Sequence, residues 1–575
     1  MSQLHDSNER MQALLDQMAS GQLTRRHFLT VAGDTGVIAS PSDGTVDHAI
    51  AAGETQARNR AQLKDSYDYI VVGAGASGSV IAAELSKTGA EVLSVESGGA
   101  DEAPTISNPS IWFYNVGGPL DWNLPIAPVV QLNNRKFNMA LGRVLGGGSS
   151  INAMVWSRGM ERDYDNWEHS GASGWGFKDV LPMFKSQEDW EGGANEWRGV
   201  GGPVPVRKPA DPHPTAPAFI EAARQMGFPL IDDLNGPMRA GAGYINMNIA
   251  ADGTRVSAAR AFLRPNLARP NITLMLNSNA TKVVFDGDRA IGVQVVTNDT
   301  TRSFRARREL ILAAGTIHSA KLLMLSGVGN ADQLQKLGIA PVVNLCGVGQ
   351  NLQDHVLVSG VVYKYKGKMP DRPADSNAVE AEVYLSSGES SHPADINLVL
   401  EQLPIATPEA VARFGALPKE GFTIAPALIQ PTSRGQVRLA SADWRDAPII
   451  EGNHLGTDHD LRAMVRAIEV ARELGRQAAL DGVREAEAVP GPNATSRQDV
   501  VDLARTASAS FGHAVGTAKI GVDSDAVVDS SLRVHGTRGL RVADASVMPS
   551  IVCGPTNAPS IMIGGRAAAL ISSTG

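Results

Sequence analysis

The sequence predicts an α/β fold, α+β overall, in which one chain carries two differently built sheets. The first observation is a strand–helix–strand pattern: residues 67–72 are rich in β-forming side chains, residues 77–88 carry apolar side chains at helical spacing, and residues 91–95 return to strand character. The second lies after residue 357, where alternating segments such as residues 381–385 are separated by Gly, Pro and Ser clusters. Together they indicate a Rossmann-like domain and a second domain built on an antiparallel sheet flanked by helices.

Composition excludes several classes of function. The 575 residues are enough for roughly two to four structural units. Cys346 and Cys553 lie far apart without a zinc-type spacing, so we expect neither a disulfide scaffold nor a metal site. The net charge of −8 is made of scattered charges of both signs, which argues against nucleic acid as a partner. No apolar run reaches the roughly eighteen residues that would predict a membrane span.

The N-terminal 64 residues are expected to be a leader or a flexible tail before the folded body, which begins at Tyr67. Residues 24–29, with the sequence TRRHFL, resemble a twin-arginine export motif, and residues 31–40 form a weakly apolar stretch after it. Asp34 interrupts that stretch and no clean A-x-A cleavage site follows. Export to the periplasm and a cytoplasmic location both stay open.

A G-x-G-x-x-G motif follows the first predicted strand directly, as Gly73, Gly75 and Gly78, with Ser77 inside it. One glycine permits a tight turn, one lets a pyrophosphate approach the backbone, and one lets helix and strand pack closely. Glu96 ends the next strand, where it can accept hydrogen bonds from both ribose hydroxyls of an adenosine. The motif predicts a bound dinucleotide and leaves NAD and FAD both open.

A second glycine-rich run, GRVLGGGSSIN over residues 142–152, points to a known family. Residues 315–329 and a C-terminal block with His513, residues 528–549 and residues 556–559 follow the same family pattern. From about residue 67 to 568 the chain resembles the glucose-methanol-choline (GMC) oxidoreductases, in the style of hydroxymethylfurfural oxidase-like and choline dehydrogenase-like members. The resemblance implies an FAD-dependent enzyme that acts on CH–OH donors.

The resemblance also implies which residues hold the FAD. The second glycine-rich run lies against the flavin in this family, Val283 lies near the adenine, and the segment around Asp544 lies near the phosphates and the ribityl chain. Some members attach FAD covalently through a histidine of the glycine-rich run, where Asn152 stands here, so we expect non-covalent FAD. Besides the fingerprint residues, the positions assigned to the cofactor are Arg143, Gly147, Gly148, Asn152, Ala153, Val283, Asp544, Ala545 and Asn557.

His513 and Asn557 are the catalytic residues that the resemblance implies. Alcohol oxidation needs a base for the hydroxyl proton and an acceptor for the hydride, and flavin N5 supplies the acceptor. An imidazole with an ordinary pKa of about 6.5 can take the proton, and Asn557 can hydrogen-bond the same oxygen. Phe511 is expected to contact the substrate, whereas His355 is expected to have a structural role only.

The expected reaction is oxidation of a primary alcohol to the aldehyde. An aryl or furan alcohol is favoured, because Phe511 offers an aromatic face and Gly512 offers room beside it. Choline, polyols and aliphatic alcohols are alternatives, and the electron acceptor is either O₂ or a respiratory quinone or cytochrome. An FAD-containing hydroxynitrile lyase is the alternative from another class, since the same base would serve it.

These expectations divide the chain into four parts. Residues 1–64 are the leader or tail, and residues 65–356 are an FAD-binding domain with substrate-lining insertions. Residues 357–500 are the substrate-binding domain. Residues 501–575 return to complete the FAD domain and the active site.

Overall fold

A computed structural model describes residues 43–237 and 240–574. Its first element, the helix Asp43–Ala61, already belongs to the folded body. Gln56 is buried; its side chain donates to the carbonyls of Leu267 and Ile272 at 2.9 Å and accepts from the backbone N–H of Leu274 at 2.9 Å. The folded part therefore begins earlier than the sequence predicted, because polar bonds rather than an apolar stripe anchor this helix. The twin-arginine-like residues 24–29 lie outside the described residues.

The first sheet contains the predicted strand–helix–strand unit. Ser66–Val72 pairs in parallel with Val92–Val95, and the helix Ala76–Lys87 connects the two strands. Further parallel strands pair on both sides of these two strands, and two antiparallel strands complete the sheet. In spatial order the strands are Ile272–Met275, Val92–Val95, Ser66–Val72, Thr300–Leu312, Arg289–Thr297 and Ser278–Asp286, with Leu540–Val542 paired to Thr300–Leu312.

The C-terminal helix Asn557–Thr574 crosses the helix Ala76–Lys87 at close range. A Cβ atom added to Gly564 would lie 2.6 Å from the carbonyl oxygen of Ser77, so a side chain at this crossing would push the two helices apart. The N-terminal residue Asn557 is thereby held at a fixed place relative to the dinucleotide motif.

The second sheet is antiparallel, as predicted. Val356–Val358 joins it to Ser508–Ser510, so the residues just after Ser510 start at its edge. The expected boundaries at residues 357 and 501 stay a prediction, and the sheet recruits strands from both sides of them. In spatial order the strands are Arg484–Val489, Val362–Tyr365, Gly421–Leu428, Ile396–Glu401, Val379–Leu385 and Gly241–Tyr244.

The two faces of the second sheet have different neighbours. The helix Asp458–Gly475 packs its apolar side chains against Leu398, Leu400 and Ile424 in the main core. The opposite face carries Val399 and other side chains that form a separate buried cluster, described below. One face thus packs on the main core, and the other packs against residues 153–160, which follow the second glycine-rich run.

The remaining helices and strands connect or cover the two sheets. Within the described residues, no helix combines the length and the apolar composition needed to cross a membrane. The remaining helices are Pro104–Ser107, Gly148–Ile151, Glu161–His169, Phe177–Gln187, Thr215–Gln225, Gly315–Leu325, Ala331–Lys336, Pro408–Phe414 and Arg497–Ala507. Four small strand pairs are Leu124–Pro125 with Asn138–Met139, Glu188–Trp190 with Val204–Val206, Val328–Gly329 with Val343–Asn344, and Gln436–Arg438 with Ile449–Glu451.

Candidate active site

Gly73 and Gly78 form a turn that only glycine allows. Gly73 has a φ of +96°, and a Cβ atom there would lie 2.4 Å from the carbonyl oxygen of Ala313. A Cβ atom on Gly78 would lie 1.9 Å from the carbonyl oxygen of Gly73. Strand and helix therefore meet at a separation that any side chain would prevent, as the motif predicts.

The two glycine-rich segments, far apart in sequence, touch in the structure. A Cβ atom on Gly147 would lie 2.9 Å from the Cα atom of Gly75, and Gly147 has a φ of +55°. A Cβ atom on Gly148 would meet nothing within 4 Å. This glycine-lined gap, bordered by backbone without side chains, fits the close passage of a pyrophosphate.

Glu96 lies where the dinucleotide-binding motif requires an acidic residue. Its two carboxylate oxygens accept the backbone N–H groups of Ala74 at 2.9 Å and Gly98 at 2.7 Å, which fixes the carboxylate at the mouth of the turn. Burial raises the pKa of Glu96, while the two backbone bonds and the charge of Arg143 oppose that rise. Each oxygen keeps a further lone pair, so the carboxylate can still accept bonds from ribose hydroxyls.

Asp544 is buried, and neighbouring residues donate hydrogen bonds to both of its carboxylate oxygens. One oxygen accepts the N–H of Gly315 at 2.8 Å and the Ser319 hydroxyl at 2.6 Å, and the other accepts the N–H and the hydroxyl of Ser546 at 2.9 and 2.6 Å. A carboxylate has about four acceptor sites, so none is left for a ligand. Asp544 therefore shapes the turn with Ala545, and the contact of this segment with the cofactor stays a prediction.

Arg143 and Val283 occupy different surroundings. The Arg143 guanidinium stacks over the ring of Trp122 at 4.6 Å, and the Trp122 ring lies 4.4 Å from that of His318. Val283 is buried in the middle of its strand, and its N–H donates to the Ser326 hydroxyl at 2.8 Å. The strand approaches the Glu96 segment at its first residue, Ser278, rather than at Val283. The contact of Val283 with adenine stays a prediction.

Asn152 is held by a buried arginine. Its Oδ1 accepts the Arg255 guanidinium at 2.7 Å and the N–H of Met154 at 3.0 Å, so only its amide hydrogens can face a cofactor. Burial lowers the pKa of Arg255 to about 9. Ala153, the next residue, is tied to the second domain because its carbonyl accepts the Asn377 side chain at 2.6 Å.

His513 lies beside His355, and the hydrogen bonds around the pair fix the tautomer of both rings. Nε2 of His355 lies 3.0 Å from the carbonyl oxygen of Val552, which can only accept, so this nitrogen carries a proton. Nδ1 of neutral His355 is then an acceptor for Nδ1–H of His513, 2.9 Å away. Nε2 of His513 is consequently left with a free lone pair, which is the atom a general base needs.

The surroundings keep both imidazoles neutral. Burial lowers the pKa of His513 to about 4, with the charge of Asp354 opposing it, and burial together with His513 lowers the pKa of His355 to about 3. The carboxylate of Asp354 accepts the backbone N–H of His513 at 2.9 Å. Its other oxygen lies 3.3 Å from His454 and is also bonded by the Ser510 hydroxyl.

The contact of His355 with His513 was not predicted from the sequence, which assigned His355 a structural role. No sequence signal links positions 355 and 513, because the contact depends on strands from the second sheet. Val356–Val358 and Ser508–Ser510 pair side by side, and the N–H of Phe511 donates to the carbonyl of His355 at 3.0 Å. The pairing brings the two rings together.

Asn557 begins the C-terminal helix and carries a polar atom without a partner. Its Nδ2 is buried and makes no hydrogen bond to any described residue. A buried amide donor left unpaired costs free energy, so such an atom marks a place where a ligand supplies the acceptor. Together with the glycine-lined gap, this orphan donor fits a bound FAD and a substrate oxygen.

Phe511 packs beside His513, with ring centroids 4.5 Å apart. It is partly buried against the cluster on the inner face of the second sheet, together with Trp112 and Ala153. The cluster's buried members include Met154, Leu357, Val379, Tyr384, Val399, Ala425, Ala427 and Ile429. A mostly apolar wall therefore lies beside His513.

Behind the active site, Asp163, His392 and Cys553 form a buried polar cluster that the sequence did not predict. Sγ of Cys553 lies 3.5 and 3.7 Å from the two ring nitrogens of His392. Asp163 accepts the N–H of Cys553 at 2.8 Å and so fixes the turn whose Val552 carbonyl holds His355.

Comparison with known proteins places this site in a family. The chain matches the GMC oxidoreductase family over residues 67–357 and 431–564. It is 37% identical over 527 residues to an oxygen-dependent choline dehydrogenase of Brucella anthropi, covering 87% of this chain and 94% of that protein. It is 36% identical over 548 residues to the mitochondrial choline dehydrogenase of Homo sapiens, covering 89% and 90%.

A solved structure agrees with the sequence relatives. The pyridoxine 4-oxidase from Mesorbium loti superposes with a TM-score of 0.83 at 31% identity, covering 88% of this chain and 99% of that one. An FAD-dependent oxidoreductase from Chaetomium thermophilum superposes with a TM-score of 0.80 at 26% identity, covering 88% and 99%. The chain therefore belongs to the GMC oxidoreductase family and is an FAD-dependent alcohol oxidoreductase.

Proposed function

We propose that this enzyme oxidises a primary alcohol to the aldehyde, with His513 as the general base and Asn557 as a second contact of the substrate oxygen. The observation that carries the proposal is that His513 and Asn557 each present an unmatched polar atom, the lone pair on Nε2 and the unpaired Nδ2 donor. An alcohol hydroxyl satisfies both, because it donates its proton to the histidine and accepts from the amide.

The chain's own groups handle the proton. Nε2 of His513 takes it from the hydroxyl, and the imidazolium that forms keeps its Nδ1–H bond to His355. The nearby carboxylate of Asp354 favours the positive charge. Asn557 holds the oxygen as negative charge develops on it. FAD, when bound, supplies the hydride acceptor.

The apolar wall supports an aryl or furan alcohol as the favoured substrate. Phe511 offers a ring face next to His513, Trp112 packs against the same apolar cluster, and flat rings pack well against such surfaces. The name of the pyridoxine 4-oxidase, a structural neighbour, favours a heteroaromatic alcohol in the same way. Choline is the second candidate, since the choline dehydrogenases named above are the relatives with 36–37% identity.

Anaerobic mixing of the purified holoenzyme with aryl, furan, aliphatic, polyol and choline-type alcohols tests the proposal. The oxidised-flavin band at about 450 nm should bleach with its substrate, and with aryl or furan alcohols fastest. Rapid recolouring in air would identify O₂ as the acceptor, and slow recolouring a respiratory acceptor. If no alcohol bleaches the flavin, the redox proposal fails and hydroxynitrile lyase activity becomes the alternative to test.

A further inference from the structure

We propose that Glu401 determines substrate specificity by binding a cationic nitrogen at the end of the alcohol remote from its reacting hydroxyl. The inference rests on the proposed function, because it concerns the far end of the same substrate. Glu401 ends the strand Ile396–Glu401 on the second sheet.

The strand register points Glu401 towards the substrate. Residues directly opposite in a sheet share a face, and so do residues two apart along a strand. Glu401 lies opposite Val379 on one neighbouring strand and Thr423 on the other, two residues from Val399. Val379 and Val399 belong to the apolar cluster that Phe511 joins, so the Glu401 side chain emerges on the same wall, about 7 Å from Val399 along the strand.

Among the described residues, the carboxylate of Glu401 has no partner. Its Oε2 is buried without a hydrogen bond, and none of the described residues forms an ion pair with it. Burial raises the pKa of Glu401 to about 7. The side chain is nevertheless not sealed, since it keeps some accessible surface. A carboxylate that is enclosed yet reachable, with no cation beside it, is placed to receive one from a ligand.

Glu380, on the adjacent strand, shows how the same sheet treats a structural carboxylate. It is buried as well, and it accepts the Ser376 hydroxyl at 2.5 Å, the Gln402 amide at 2.7 Å and the N–H of His213 at 2.8 Å. The fold therefore supplies several donors where a buried acid serves stability. Glu401 receives none of this support, which distinguishes a ligand-binding acid from a structural one.

The surroundings define the ligand class. A protonated amine or pyridinium would satisfy the carboxylate and keep it ionised, while Val379 and Val399 would pack against the methylene or ring carbons between the charge and the hydroxyl. The fitting substrate is a primary alcohol with a cationic nitrogen several atoms away.

A matched pair of alcohols tests this: 4-(aminomethyl)benzyl alcohol, which is cationic, and benzyl alcohol, which is neutral. Holoenzymes of the wild type, Glu401→Gln and the control Glu485→Gln are compared. Glu485 is an exposed acid of the same sheet, paired at 2.7 Å with exposed Lys364. Glu401→Gln should lower the cationic-to-neutral ratio of kcat/KM roughly 30-fold or more, mainly through KM, and Glu485→Gln should change it less than about twofold.

An unchanged ratio in Glu401→Gln overturns the inference while leaving the proposed function intact. If the wild type oxidises neither alcohol, the proposed function fails, and ligand binding then tests the role of Glu401 separately. In that case 4-methylbenzylamine should perturb the flavin spectrum and raise the Tm of the wild type but not of Glu401→Gln. Equal responses of both proteins to the amine would refute the role of Glu401.

Discussion

The nucleotide end and the substrate end of the active site are built in opposite ways. At the nucleotide end the carboxylates Glu96 and Asp544 are satisfied by backbone N–H groups and hydroxyls, and glycines set the separations. At the substrate end the amide of Asn557 and the carboxylate of Glu401 have buried atoms without partners. The two carboxylates of the first end are held by the protein itself, whereas the two side chains of the second end depend on a ligand for these hydrogen bonds.

Gly78→Ala should have the largest effect, because the nucleotide end leaves no space for a side chain at this position. The new Cβ atom would lie 1.9 Å from the carbonyl oxygen of Gly73, so strand and helix have to separate. We expect loss of the holoenzyme, read as a flavin-to-protein ratio near zero and a Tm several degrees lower.

Gly53→Ala is the matched control, since a Cβ atom there would meet nothing within 4 Å and the residue lies inside the helix Asp43–Ala61. It should keep full flavin content and stabilise the fold by about 0.5–1 kcal/mol. A Gly78→Ala protein with full FAD content and an unchanged Tm would show that the nucleotide end is more plastic than its geometry indicates.

His513→Ala should leave the nucleotide end untouched and remove the chemistry. We expect full FAD content with kcat lowered roughly 10²–10⁴-fold, the usual contribution of a general base. His169→Ala, which removes an exposed histidine of the helix Glu161–His169, provides the control and should keep wild-type turnover. Wild-type kcat in His513→Ala would remove this residue from the mechanism.

His355→Ala should have the smallest of the three effects, because His355 acts through His513. Without its Nδ1 acceptor the tautomer of His513 is no longer fixed, and kcat should fall on the order of 10- to 100-fold with KM little changed. His355→Asn, whose side-chain oxygen can accept from Nδ1–H, should recover part of the loss. Equal losses in both variants would indicate a role in packing only.

The same contrast explains what the sequence could predict. The nucleotide end is local: Gly73, Gly75, Gly78 and Glu96 lie on one strand–helix–strand unit, so spacing alone predicts their geometry. The contact of Gly75 with Gly147 depends on the tertiary fold and was not predicted from the sequence. His513 and Asn557 were identified through that resemblance, and no spacing rule would have paired them.

The part of the substrate end formed by Glu401 escaped prediction because it depends on strand register. A shift of one residue would turn Glu401 away from the cluster with Phe511, and the sequence does not state which residue faces which. The contact between His355 and His513 has the same origin. The helix Asp43–Ala61 was also missed, since its anchoring by Gln56 carries no apolar periodicity.

The most direct test of the account is the pH dependence of anaerobic flavin reduction by a saturating neutral alcohol. Burial lowers the pKa of His513 to about 4, so the free base is already formed at neutral pH and disappears only when the solution becomes acidic enough to protonate it. The account predicts a rate that is flat from about pH 8 down to about pH 5 and falls below that, with the fall absent in His513→Ala. A fall in rate near the ordinary histidine pKa of about 6.5, or an unchanged fall in His513→Ala, would contradict the half-buried neutral His513 as the base.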